Sequence, residues 1–237
     1  MHDIRTAEIA DGIFQFATHL TEVDFGLNQY LVTGDEPLLF HTGMRWMHTD
    51  LAAAVSAIVP LETLRWVSFG HVEADECGAL NQWLAAAPHA SPTTGATGCM
   101  ISVEDLADRA PRPLSDGEVI DIGGHRLRWI DTPHLPHNWE AGLLFDETTS
   151  TLFCGDLFSR FGAYPAATPV SIVVADEADD PAHSLTPSSA AQLRALATLE
   201  PATLAPMHGP AQQGDGARSL ASLADLLEHR LTATEVT

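Results

Sequence analysis

Short apolar runs alternate with stretches of helical periodicity along this chain. "GIFQFATHL", "NQYLVTG" and "EPLLFHTG" have the apolar, β-branched and aromatic character of strands, separated by turns carrying Gly, Asp or Pro. "TDLAAAVSAIVP" predicts a helix with Thr49 as N-cap and Pro60 as its stop. "TLRWVSFGH" reads as a buried strand ending at His71, and "ADECGALNQWLAAAP" as one helix closed by Pro88. A short helix near "SVEDLADRA" precedes two hairpins, "EVIDIGGHRLRWIDTP", turning at Gly123-Gly124, and "EAGLLFDETTSTLFCGD". "SSAAQLRALATLEP" is a helix, "ATLAPMHGP" a strand, and "ARSLASLADLLEHRL" a closing amphipathic helix. Strands and helices alternate in both halves. The expectation is one α/β domain over residues 1–237, with two sheets face to face and helices outside, a four-layer α/β/β/α sandwich.

Composition narrows the function classes. Acidic residues number 32 against 11 basic ones, all Arg, for a net charge of −21. Such a surface repels nucleic acid and anionic membranes, so neither is an expected partner. Three cysteines argue against a disulfide framework and for a reduced, cytoplasmic compartment. "MHDIRTAEIADGIF" lacks the pattern of a signal peptide, and no apolar stretch is long enough to span a membrane. The acidic segment "VADEADDPAH" (174–183) reads as a solvated surface excursion.

Candidate chemistry gathers at the ends of apolar runs. "LRWVSFGH" ends at His71, "RLRWIDTPHLPH" runs out into His134 and His137, "STLFCGD" ends at Asp156 and "TLAPMHG" at His208. Loops at strand ends are where a rigid scaffold displays functional groups, and four such ends can converge on one edge of a sandwich. In "FGHVEADECG", residues two apart on extended backbone share a face, so His71, Glu73 and Asp75 can point into one pocket, with Glu76 directly after. Desolvated carboxylates this close would repel one another unless cations held them. A helix dipole at Asp75 and Glu76 is worth under about 1 kcal/mol, too little to stabilise the cluster.

"HVEADE", together with "HNWE", "CGDLF" and "APMHGP", resembles the metallo-β-lactamase superfamily, and within it the flavodiiron proteins and oxygen-binding diiron proteins. Hydrolases of the superfamily carry H-x-H-x-D-H, whereas the flavodiiron branch has Glu in the second place, as Glu73 is here. The resemblance covers nearly the whole chain and implies the metallo-β-lactamase type of sandwich. It makes His71, Glu73 and His137 ligands of one metal, Asp75 and His208 ligands of the other, and Asp156 the bridge. His137 is preferred to His134 because its spacing to Asp156 matches the family register, which leaves His134 supporting or structural. Glu140 falls where the family carries an Asp that orients a ligand. Glu76 stands in place of the family's last motif His, and the expectation is that it lies near the second metal, as a direct ligand or through a water, the alternative being that it points away. His41 replaces an Asp common after this strand and is expected to be supporting or structural.

The donor types, imidazole and carboxylate without thiolate, suit two iron ions, with zinc or manganese as alternatives. Cys77 and Cys154 are expected to be buried structural thiols. Trp139, Phe158, Phe161 and Tyr164 could wall the metals, fill the core or meet a second copy in a homodimer; Met44, Trp46 and Met47 could line the pocket or the core. The glycines of "IDIGGHRL" belong to a hairpin turn, so no phosphate loop is implied. Flavodiiron proteins append a flavodoxin-like domain holding FMN, but this chain ends 29 residues after His208. The expectation is that it holds no FMN domain and that electrons come from a separate donor protein, or that oxygen is bound without rapid turnover. The leading expectation is a diiron protein that binds or reduces O2 or NO, probed by Glu73, an anionic ligand that stabilises oxidised iron. The alternative is a hydrolase using a metal-bound hydroxide on an ester, amide or thioester. A third is a sensor that binds without turnover.

Overall fold

The computed structural model describes residues 3–169 and 184–234, so the acidic segment 174–183 lies outside the described residues. Two seven-stranded sheets make up the β structure. The first runs in chain order: β1 (Ile4–Ala10), β2 (Ile13–Leu20), β3 (Phe25–Val32), β4 (Leu38–Phe40), β5 (Trp66–Ser68), β6 (Ser91–Gly95) and β7 (Arg112–Leu114). The second comprises β8 (Val119–Asp121), β9 (Arg126–Asp131), β10 (Gly142–Asp146), β11 (Thr151–Gly155), β12 (Ala167–Pro169), β13 (Thr203–Pro206) and β14 (Ala211–Gln213), in the order β12-β14-β13-β11-β10-β9-β8. The helices are α1 (His48–Ser56), α2 (Ala74–Cys77), α3 (Leu80–Ala86), a helical run α4 that begins at Ala96–Gly98 and ends at Glu104–Leu106, α5 (Ser189–Ala197) and α6 (Gly216–Thr234).

The central strands are apolar on both faces, and this explains their continuous hydrophobic runs. In β3, Tyr30 and Val32 face the second sheet while Leu27 and Leu31 face the helices; β4 divides likewise, Leu38 and Phe40 inward and Leu39 outward. In β10 and β11, Leu144 and Phe153 point between the sheets, and Leu143, Phe145, Leu152 and Cys154 point outward. The middle layer closes on aromatic contacts, with Phe153 5.2 Å from Phe40 and 5.4 Å from Tyr30 between ring centroids. α1 and α3 cover the first sheet with Leu51, Val55, Trp83 and Leu84, while α5 and α6 cover the second with Leu193, Leu196, Leu220 and Leu223. The result is the α/β/β/α sandwich.

Several local expectations are corrected. α1 begins at His48, one residue before the expected cap, with Met47 at the N-cap and no side-chain cap from Thr49; it stops at Ser56, ahead of Pro60. The helix expected from Ala74 is two helices, because Ala79, at φ −92° and ψ 11°, leaves helical geometry between α2 and α3. β5 ends at Ser68, so His71 sits in the loop after the strand, not at its last position. β1, β6, β7, β12 and β14 were not foreseen.

Trp83 is fully buried under α3, and its Nε1–H donates to the Thr42 carbonyl at 2.9 Å. Trp83→Ala is expected to lower stability by about 3–5 kcal/mol, through lost burial and the cavity left behind. Urea unfolding would show this as a lower midpoint at unchanged m-value. A loss under about 1 kcal/mol would mean the site collapses around the smaller side chain.

Candidate metal centre

The direction of the strands assembles this site. β9 is antiparallel to β10, β10 to β11, and β11 is parallel to β13, so β9, β11 and β13 run the same way. Their C-terminal ends release the chain into His137, Asp156 and His208 on one edge of the second sheet. Across the gap, the loop after β5 carries His71 and Glu73, and α2 carries Asp75. Backbone bonds hold the two edges together: Gly142 N–H donates to Gly70 O at 2.9 Å, and Asn28 N–H to Met207 O at 2.8 Å.

One ligand atom from each of His71, Glu73, His137 and Asp156 lies within 4.8 Å of all the others. His71 Nε2 is 3.0 Å from Glu73 Oε2 and 3.6 Å from Asp156 Oδ2. His137 Nε2 donates to the same Asp156 oxygen at 2.7 Å and lies 3.3 Å from Glu73 Oε2. The other Asp156 oxygen, Oδ1, faces His208 Nε2 at 3.4 Å, and that nitrogen also sits 3.3 Å from Asp75 Oδ2. Asp156 therefore stands between two groups, one oxygen toward each. Asp156 Oδ1 is buried without a hydrogen-bond partner, an arrangement that a cation satisfies. Imidazole and carboxylate donors without thiolate fit iron, manganese or catalytic zinc.

The charges of these groups act strongly on one another. Burial pushes the His71 imidazole down, but Glu76, Glu73 and Asp156 outweigh it and raise its pKa to about 9. The hydrogen bond to Asp156, with that to Glu73, raises His137 to about 10. His208, also opposed by burial, is raised to about 10 by Asp156 and Asp75. The bond from His137, then that from His71, lowers Glu73 to about 2. Burial works against ionisation of Asp156, yet the three imidazoles hold it far below the usual carboxylate range.

Not every expected residue joins the cluster. Glu76 is fully buried behind His71, its Oε1 3.3 Å from His71 Nδ1, and is not among the four side chains whose ligand atoms gather with Asp156. His134 is exposed, and its backbone N–H donates to Asn138 O at 2.8 Å. Glu140 does not reach a ligand ring; it accepts a bond from Val72 N–H at 3.2 Å and so tethers the loop just after His71. Of the aromatic candidates, Phe158 is buried in the outer layer of the second sheet, and Trp139 is exposed. Phe161 stacks on Phe25, whose ring lies 4.2 Å from that of His208. Met47 is core, Met44 packs against that core, and Trp46 is half-exposed. Cys77 is a half-buried thiol pushed up to about 12 by burial and Glu76, and Cys154 is buried with its Sγ donating to Leu152 O at 3.3 Å.

Sequence reading missed the groups that act through backbone. His208 Nδ1 is paired with Gly26 O at 2.8 Å, which fixes the tautomer that presents Nε2 to Asp156. A Cβ at Gly26 would meet the Tyr164 hydroxyl at 2.0 Å, so only glycine lets Tyr164 close over this strand. Asn28 donates to Pro206 O at 2.9 Å and Gly209 O at 2.7 Å, bracketing His208. An Asn and a Gly within an apolar strand were the only sequence signals.

The family model described as ODP family beta lactamase matches residues 25–209. This chain belongs to the ODP family of β-lactamases. Among relatives of the ODP-family chain, the anaerobic nitric oxide reductase flavorubredoxin of Pectobacterium carotovorum is 26% identical over 136 residues, 56% of this chain and 27% of that protein. Matches to curated relatives cover between 23% and 34% of those proteins' lengths. A variant of the flavo di-iron protein from Thermotoga maritima superposes with a TM-score of 0.82 at 19% identity, covering 96% of this chain and 63% of that one. Rubredoxin oxygen:oxidoreductase from Desulfovibrio gigas gives a TM-score of 0.77 at 17% identity, over 94% and 62%. These likenesses establish the metallo-β-lactamase-type core found in flavodiiron proteins. Among the described residues, no helix is long and apolar enough to cross a membrane.

Proposed function

We propose that this chain is a dinuclear non-haem iron protein that binds or reduces O2 or NO, with electrons from a separate donor protein. The observation that carries the reading is Asp156, whose two oxygens face two different sets of donors: His71, Glu73 and His137 on one side, Asp75 and His208 on the other. A bound iron pair supplies redox chemistry and open coordination positions for a diatomic. The chain contributes the rest. Glu73, held ionised, adds negative charge that favours oxidised iron. Gly26 and Glu140 hold His208 and the His71 loop in register. Phe25 and Phe161 keep the His208 side apolar, which suits an uncharged diatomic over a charged ester. The flavorubredoxin relative, named for nitric oxide reduction, supports the same chemistry.

The test is to load the purified chain with ferrous iron, reduce it anaerobically and mix it with O2 or NO in a stopped-flow spectrometer. Loss of the ferrous state at about two irons per chain, or a new optical band with NO, is the expected result. Zinc-loaded chain that hydrolyses an ester or thioester, while the iron form ignores both gases, would replace this reading with the hydrolase.

A further inference from the structure

Glu76 stands where the motif suggested another metal ligand, yet its carboxylate is taken up elsewhere. Oε2 accepts two backbone N–H groups, from Gly70 at 2.7 Å and from His71 at 2.8 Å. Oε1 lies 3.3 Å from His71 Nδ1 and 3.2 Å from Nε2 of His41, another fully buried ring. His41 is itself fixed from the opposite side, its Nδ1 3.3 Å from Asn28 O. The His71 ring is thus held at both ends: Nδ1 toward Glu76, and Nε2 toward Glu73 and Asp156.

We infer that Glu76 positions His71 for the first metal, braced by His41, and supplies no ligand to the second metal, so that the two metal positions are unequal. This rests on the reading that the cluster around Asp156 holds metal. Two backbone N–H groups donate to Glu76 and two imidazole nitrogens lie within 3.3 Å of it. An ionised carboxylate offers about four lone-pair sites, whereas a neutral imidazole accepts only one bond. A histidine at this position would leave at least one of the Gly70 and His71 amides buried without an acceptor. Close packing leaves little room for another arrangement, since a Cβ at Gly70 would lie 2.8 Å from Gly142 O and 3.3 Å from Glu76 Oε2. The first position then draws on four side chains (His71, Glu73, His137, Asp156) and the second on three (Asp75, Asp156, His208).

Cobalt(II) titrated into metal-stripped chain, in competition with a chelator, reads both positions through its visible bands. Wild type is expected to fill in two steps, the first tighter. Glu76→Gln, which keeps the shape but loses the charge, is expected to weaken the first step by about 10–100-fold and leave the second unchanged. Nitrogen NMR of labelled histidines is the companion measurement: in Glu76→Gln the His71 Nδ1 resonance should shift even without metal, as a purely structural carboxylate would not require. Weakening of the second step alone would make Glu76 a ligand and overturn the inference, as would an unmoved His71 resonance. If wild type took up no cobalt, the proposed function would fall, while the His71 resonance would still decide the role of Glu76. Should Glu76→Gln not fold, His41→Gln touches the same carboxylate from its far side. It should weaken the first step only, and an effect on the second step would equally overturn the inference.

Discussion

Asp156→Ala should empty both metal positions at once. No other side chain in the cluster turns one oxygen to each group, with Oδ2 facing His71 and His137 and Oδ1 facing His208. Losing even an outer partner of a ligand costs about 10–100-fold in metal affinity, so loss of a shared ligand should exceed that at both positions. Elemental analysis of the variant beside wild type, prepared without added chelator, is the check. A preparation that kept half the metal would show that Asp156 serves one ion only. Asp156→Asn separates charge from shape: it keeps the volume under the His137 ring but lacks the anionic second oxygen, and should lose metal nearly as fully.

Metal uptake should expel protons, and its benefit to stability should grow with pH. In the metal-free cluster, His71 is raised to about 9 and His137 and His208 to about 10, above the ordinary histidine value near 6.5. Protonated imidazoles therefore stabilise the metal-free fold fully below about pH 6.5, and that contribution disappears as pH climbs through 9 to 10. Metal requires neutral imidazole, so filling both positions near pH 7 should release about three protons per chain. Calorimetry of zinc binding in two buffers of different ionisation enthalpy counts them. The rise in Tm on adding zinc should be larger at pH 8.5 than at pH 6.5. A proton count near zero would mean that these rings are neutral before the metal arrives.

The parts of the fold that were legible in the sequence are those with a strong apolar signal. The segments that became β3, β4, β10, β11 and β13 are buried on both faces and read as strands without ambiguity. β6 was hidden because "SPTTG" has the composition of a turn, although it pairs in parallel with strands on both sides. β1 mixes Arg5 and Glu8 into a mostly solvated edge, so alternation was weak there. In the site, the residue types and their order were legible because each lies just beyond an apolar run. The direction of Glu76 was not. Whether a carboxylate after a turn points to a metal or to backbone amides depends on where Gly70 and His41 come to rest, and His41 is thirty-five positions away in the chain. The carbonyl of Gly26 was equally beyond reach, since backbone groups leave no mark on the sequence.

The order of strands has one more consequence. All of the first sheet precedes Ser115, and all of the second follows it, with β7 and β8 joined by only a short connection at the edges. His71, Glu73 and Asp75 therefore ride on one half, and His137, Asp156 and His208 on the other. A metal pair bound among them is a rivet between two separately woven fabrics. Cutting the thread between Leu114 and Val119 would turn this one chain into a two-piece assembly fastened by the apolar layer between the sheets and by the ion beside it, and a chelator would undo one of those two fastenings.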